Sequence, residues 1–150
     1  MNKPTHFPLI TLKDQRGSNF DMNQLKGSPF VVYFYPKDDT PGCTKQACSF
    51  RDAHQDFQDL GVPVIGVSGD SPSSHAQFAK KYNLPFTLLS DTKKELRKMA
   101  NVPTNLLGLL PGRVTYVMDK DAKIVHVFNS QTKAEQHMEE ALNTVKSLLK

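Results

Sequence analysis

The chain predicts an α/β fold in which helices cover a mixed β-sheet, and three observations carry that expectation. Runs of β-branched and aromatic residues alternate with segments of three- and four-residue apolar spacing through the middle of the chain. Two further apolar runs then flank a polar turn, and the chain closes on an amphipathic segment. A β-sandwich or a helical bundle would show neither pattern. With 150 residues and no repeat or linker, one domain over residues 1–150 is expected. A chain of this size can bury roughly 68–70% of its unfolded surface.

Leu9–Leu12 and Ser18–Met22, joined across Asp14-Gln15-Arg16-Gly17, read as an N-terminal hairpin. Phe30–Tyr35 is a continuous apolar run between two prolines and reads as a buried strand. Phe50, Ala53, His54, Phe57 and Leu60 recur at helical spacing before Gly61, which predicts one helix from about Cys43 to Leu60. Val62–Ser68 is a second buried strand, followed by a helix with Ser71 as N-cap and Pro72 in its first position. Phe86–Leu89 is another strand, after which Asp91 caps a short basic helix reaching about Ala100. Residues 101–113 carry Pro103, Gly108, Pro111 and Gly112 and read as an irregular connection long enough to cover a site. Val114–Met118 and Ile124–Phe128 form a hairpin around Asp119–Lys123. The last helix is expected to start with a Thr132/Glu135 capping box and to align Met138, Ala141, Leu142, Val145, Leu148 and Leu149 on one face.

Charge and composition exclude several function classes. With 19 Lys+Arg against 15 Asp+Glu the net charge is +4, and the lysines are interleaved with acidic residues, so the basic stripe of a nucleic-acid-binding surface is missing. Met1–Phe7 has no apolar signal-peptide core, and no run reaches the roughly 18 apolar residues that span a bilayer, so neither membrane insertion nor export is expected. The five histidines are scattered without a metal-ligand spacing, which predicts no metal site. Asp38-Asp39 reads as a solvated pair in a polar loop. Two cysteines are too few for a secreted disulfide scaffold and suit a redox pair in a reducing compartment.

Those cysteines mark the region where chemistry is expected. Cys43 falls in the first turn of a helix that follows a buried strand, where unpaired amides and the positive end of the helix dipole favour a thiolate. Cys48 lies five residues further on. Five residues of regular helix separate two Cα atoms by roughly 8–9 Å, beyond the roughly 7 Å limit for a disulfide. Any exchange between the two sulfurs therefore requires the start of that helix to unwind.

Pro36, Thr40 and Cys43 fit Pro-x-x-x-Thr-x-x-Cys, the signature of peroxiredoxins, and with Cys48 the chain resembles the bacterioferritin-comigratory-protein or peroxiredoxin Q branch. The resemblance runs from about Phe7 to Leu149 and has a second landmark in Leu110–Asp119. It departs from many members at Gln46, where others have glutamate, and at Val114. The resemblance implies a thioredoxin-like fold with an N-terminal hairpin extension and a peroxidase that needs no cofactor. In that scheme Cys43 attacks a hydroperoxide, Cys48 resolves the sulfenic acid as an intramolecular disulfide, and thioredoxin or a similar dithiol restores both thiols. Thr40, the Gly42–Cys43 backbone and Arg113 would supply donors and charge to the reacting oxygens, and Pro36 would shield the thiolate. It further implies a monomer, and the absence of a signal-peptide core with a cysteine pair suited to a reducing compartment leads us to expect the cytoplasm, or an organelle lumen after loss of a transit peptide.

Other cysteine chemistries fit less well. A general disulfide oxidoreductase would show Cys-x-x-Cys, and a cysteine phosphatase would place arginine six residues after the nucleophile, where this chain has Ser49. The runner-up is a redox-responsive binding module that uses the Cys43/Cys48 switch without efficient turnover.

Overall fold

The computed structural model describes residues 5–102, 104–105 and 110–149, with the side chains of residues 104, 105, 110 and 111 left aside. Strand β1 (Thr11–Asp14) turns at Gly17 into β2 (Asn19–Asp21), pairing Thr11 with Asp21 and Lys13 with Asn19. Gly17 takes a φ of +76° in that turn, a conformation that excludes most other residues. The expected hairpin is present and extends the sheet through antiparallel pairing of β1 with β5 (Thr87–Ser90).

Strand β3 (Phe30–Phe34) pairs in parallel with β4 (Val64–Ser68), and β4 pairs in parallel with β5. On its other side β3 pairs antiparallel with β8 (Val114–Met118), which forms a hairpin with β9 (Ile124–Asn129). The resulting order, β2-β1-β5-β4-β3-β8-β9, is a seven-stranded mixed sheet. A strand buried on both faces must send alternate side chains into different cores. Val31, Tyr33 and Tyr35 enter one cluster with Phe50, Phe57, Phe78, Ala141 and Val145, whereas Phe30, Val32 and Phe34 enter the other with Met22, Leu96 and Tyr116.

Helix α1 (Pro41–Asp52) and helix α2 (His54–Asp59) occupy the segment expected to be one helix. The division falls at Ala53, whose ψ of 4° leaves the α basin. Hydrogen bonds from Ala53 N–H to Ser49 O and from Phe57 N–H to Ala53 O bridge the break, so Phe50 and Phe57 still share a core face at 5.9 Å between rings. Helix α3 (Pro72–Tyr82) starts as expected: Ser71 Oγ accepts from Ser74 N–H at 3.2 Å. It stops at Asn83 in the left-handed conformation. Asp91 accepts from the amides of Leu96 and Arg97 in the short helix α4 (Glu95–Met99), although Lys94 is the residue immediately before it.

Two expectations at the chain's end are corrected. The capping box does not form: helix α5 (Gln136–Leu148) begins after Glu135, which makes no side-chain cap bond. Ser130 Oγ has already captured the Lys133 amide at 3.1 Å, setting up a turn that delays the helix past Thr132. Leu148 and Leu149 are exposed, because the buried stripe of α5 runs through His137, Ala141 and Val145 and ends there. The segment expected to be wholly irregular contains a short antiparallel ladder between β6 (Thr104–Asn105) and β7 (Leu110–Pro111). The covering role is expected of residues 101–113 as a whole, of which 103 and 106–109 lie outside the described residues.

Candidate active site

The sheet delivers Cys43 by a short path. β3 ends at Phe34, a loop follows, and α1 starts at Pro41, where the absent N–H of proline costs nothing because first-turn amides have no helical partner. Thr40 is the N-cap and its carbonyl accepts from Thr44 N–H, but its hydroxyl makes no cap bond and donates instead to Lys37 O at 3.0 Å. Cys43 is 1% exposed, and both cysteines are free thiols. The expected placement of Cys43 in the first helical turn therefore holds.

Arg113, 70 residues away in sequence, is brought to the same turn by the antiparallel pairing of β8 with β3. It is 4% exposed. Its Nε donates to Gln131 O at 3.1 Å and its Nη1 to Gln46 Oε1 at 2.7 Å, the latter one turn along α1 from Cys43. A Cβ built on Gly42 would lie 2.7 Å from Arg113 Nη2, so glycine is what admits the guanidinium beside the start of α1. Burying a guanidinium is costly without partners, and its two acceptors among the described residues are neutral oxygens. Neither cancels the positive charge held beside the residue preceding Cys43.

Gln46 is fully buried, with its Oε1 given to Arg113 and its Nε2 without a partner among the described residues. Tyr33 Oη is likewise buried and unpartnered among the described residues. Burial pushes the Tyr33 hydroxyl well above its usual range, and the charge of Cys43 adds to that push, so Tyr33 remains a neutral phenol. Its ring stacks on Phe50 at 4.7 Å and lies over Gly66, where a Cβ would meet the ring within 2.9 Å.

The structure separates the remaining expected residues into two surroundings. Pro36 is half-buried and lines a cavity of about 250 Å³ with Phe34, Val67, Asp70 and Arg97. Cys48 is half-buried on the other side, in a groove of about 470 Å³ between α1 and α5 lined by Lys45, Asp52, Glu135, Met138 and Leu142. Cys43, Gly42, Gln46 and Arg113 thus meet at one helix start, while Cys48 opens toward a different face.

Two buried histidines were not singled out by the sequence. His137 Nε2 donates to Ser130 O and its Nδ1 accepts from Thr115 Oγ1, both at 2.8 Å. Burial, opposed by the Ser130 bond and reinforced by Arg113, lowers its pKa to about 4 and keeps it neutral. His75 Nδ1 lies 2.7 Å from Asp38 Oδ2, and Asp38 is 7% exposed, which corrects the reading of Asp38-Asp39 as a solvated pair. Asp39 is exposed but not free: Lys81 and Tyr82 both bond its carboxylate, holding it below the usual range. Asp38, Asp70 and His75 bring potential ligand atoms within 4.8 Å of one another, and hydrogen bonds from Tyr35, Ser68 and Ser74 engage the two carboxylates. Sequence spacing carries no signal for these contacts, which join three separate elements.

Known proteins share this architecture. The AhpC/TSA family profile matches residues 5–127. Chloroplastic peroxiredoxin Q from Populus jackii is 53% identical over 148 residues, covering 99% of this chain and 70% of its own length. The corresponding protein of Gentiana triflora is 54% identical over 140 residues, covering 93% of this chain and 64% of its own length. Among solved structures, PrxQ of Xylella fastidiosa superposes with a TM-score of 0.90 at 28% identity, covering all of this chain and 98% of that one. The peroxidoxin BcpB of Mycobacterium tuberculosis gives 0.89 at 33% identity, with 99% and 98% covered. A bacterioferritin comigratory protein of Xanthomonas campestris, described by its alkyl peroxide reduction activity, gives 0.87 at 28% identity, with 100% and 98% covered. With its thioredoxin-like sheet and its cysteine at the start of α1, the chain belongs to the AhpC/TSA family, as a peroxidase of the peroxiredoxin Q branch.

Proposed function

We propose that Cys43 is the peroxidatic nucleophile, reducing hydrogen peroxide and organic hydroperoxides, and that Cys48 resolves it. The observation that carries this reading is the Arg113 guanidinium held against Gly42, with neutral acceptors among the described residues, next to a buried thiol at a helix start. The Cys43 thiolate attacks the terminal oxygen of the hydroperoxide. A sulfur–oxygen bond forms as the oxygen–oxygen bond breaks, leaving a sulfenic acid and an alkoxide or hydroxide that takes up a proton. Arg113 and the Gly42 and Cys43 amides act where negative charge spreads over the two oxygens, so they lower the barrier more than they tighten ground-state binding. Thr40, whose hydroxyl proton is given to Lys37 O, orients the peroxide by accepting from its O–H rather than donating, and Pro36 covers the thiolate.

Cys48 then attacks the sulfenic sulfur, releasing water and forming an intramolecular disulfide. A dithiol such as thioredoxin reduces that disulfide by exchange, becoming a disulfide itself. The helical separation of roughly 8–9 Å between the two Cα atoms means that the start of α1 unwinds in this step. We place this chemistry in one monomeric domain, in the cytoplasm or an organelle lumen, the plant relatives being chloroplastic. Among the described residues no helix is long and apolar enough to cross a membrane.

The test is to mix reduced protein with stoichiometric hydrogen peroxide and follow thiol loss in wild type, Cys43→Ser and Cys48→Ser. Cys43→Ser is expected to abolish rapid consumption, and Cys48→Ser to complete the first turnover and then stall or over-oxidise. A Cys43→Ser variant as fast as wild type would refute the assignment.

A further inference from the structure

The loop that carries Pro36 and Thr40 is held from outside the catalytic residues, by α3. Asp38 sits at its centre and is almost wholly buried. Its Oδ1 accepts from Tyr35 Oη at 2.5 Å, its Oδ2 accepts from Ser74 Oγ at 2.8 Å, and its own amide donates to Asp70 Oδ2 at 2.8 Å. Because Tyr35 and Asp38 are bonded to each other, Pro36 is pinned between two anchored residues. Next along the chain, Asp39 takes a left-handed φ of +58°, a cost that its bonds to Lys81 and Tyr82 help offset. Both ends of α3 therefore grip the loop, Ser74 and His75 at its start and Lys81 and Tyr82 at its finish.

His75 supplies the bond with the strictest requirement. Its Nε2 faces Leu89 O at 2.9 Å, and a carbonyl can only accept, so Nε2 carries hydrogen. Its Nδ1 faces Asp38 Oδ2 at 2.7 Å, a separation that needs one proton between the two atoms. Without that proton two lone pairs would confront each other in a site where the His75 side chain has no solvent access and that of Asp38 almost none. His75 touches none of Cys43, Gly42 or Arg113 through any of these bonds, so its influence on chemistry passes through Asp38 and the loop.

We propose that Asp38 and His75 form a positioning pair whose Nδ1–Oδ2 hydrogen bond fixes the Pro36–Thr40 loop, and with it the start of α1, in the geometry that reacts with peroxide. The inference rests on Cys43 being the peroxidatic residue, and its test separates the two. In His75→Asn the side-chain amide can take the place of Nδ1 and still donate to Asp38, whereas in His75→Gln it takes the place of Nε2, donates to Leu89 O and leaves Asp38 without that donor.

The second-order rate of Cys43 oxidation by hydrogen peroxide is measured for both variants in a competition assay, with thermal midpoints recorded and Cys43→Ser as control. His75→Gln is expected to react at least about tenfold more slowly, since misplacement of reacting groups by an ångström can cost a hundredfold, and His75→Asn to stay within about threefold of wild type. Equal rates in the two variants, whether both fast or both slow, would overturn the positioning pair and leave the peroxidase assignment standing. A wild type no faster than Cys43→Ser would overturn the assignment and the pair together. If His75→Gln does not fold, Ser74→Ala removes another donor to the same Oδ2; a slowing of about threefold or more supports the pair and an unchanged rate overturns it.

Discussion

Gly42 shows how much of this site rests on a missing methyl group. Arg113 Nη2 occupies the position next to which alanine's Cβ would stand at 2.7 Å, and the guanidinium is tethered to Gln131 and Gln46. Gly42 lies in the ordinary helical turn and needs no left-handed backbone, so Gly42→Ala is a test of the guanidinium's position. The expected result is a rate of Cys43 oxidation lower by about tenfold or more. The thermal midpoint should move by only a few degrees at most. Comparable peroxide reactivity in the variant would show that Arg113 does not act from this position. Gln46 was visible in the sequence only as a departure from the family pattern. Its task, accepting from Arg113 without neutralising it, depends on a contact across 67 residues that no local pattern encodes.

At the scale of elements, α1 must be both a support for the thiol and a segment that can melt. Its buried side chains include Cys43, Gln46, Ala47 and Phe50, and the last of these is anchored by stacking on Tyr33. Oxidation of the Cys43–Cys48 pair is expected to increase amide exchange over residues 43–50 while β3 keeps its protection, as measured by hydrogen exchange on reduced and oxidised protein. Unchanged protection in that stretch would exclude an intramolecular disulfide made by helix opening. The strand beneath sets a second requirement: Gly66 of β4 pairs with Tyr33 and leaves space for its ring. Gly66→Ala would press a methyl against Tyr33 and Leu88 at 2.8–2.9 Å, and is expected to lower unfolding free energy by about 1–3 kcal/mol in denaturant titrations. These elements were legible because their periodicity is local. The break at Ala53 and the delayed start of α5 were not, since each depends on competing backbone bonds that only the folded chain reveals.

For the whole molecule, His137 couples stability to pH. It joins α5 to Thr115 of β8 and to the Ser130 turn, and its pKa falls to about 4 from the ordinary histidine value of 6.5, chiefly through burial. The unfolded chain therefore binds a proton that the folded chain refuses between these values. The stabilisation is fully present above pH 6.5 and is lost as pH falls through about 4. Wild type is expected to lose about 3 kcal/mol more than His137→Gln between pH 7 and pH 4, where the glutamine amide still reaches Ser130 O but cannot ionise. Parallel stability curves would mean that His137 protonates freely inside the fold.

Local sequence pattern is enough to establish the α/β class, the order of the main strands and helices, the N-terminal hairpin and the position of Cys43 at a helix start. Each follows from side-chain periodicity, proline and glycine placement, or cap chemistry acting within a few residues. That Arg113 reaches Gly42, that Gln46 receives it, and that Asp38 is buried against His75 depend on how the elements pack in three dimensions. Those contacts arise from strand pairing and from helix packing across the sheet. Their energy comes from satisfying charged and polar groups that burial would otherwise strand, a demand that exists only once the chain has folded.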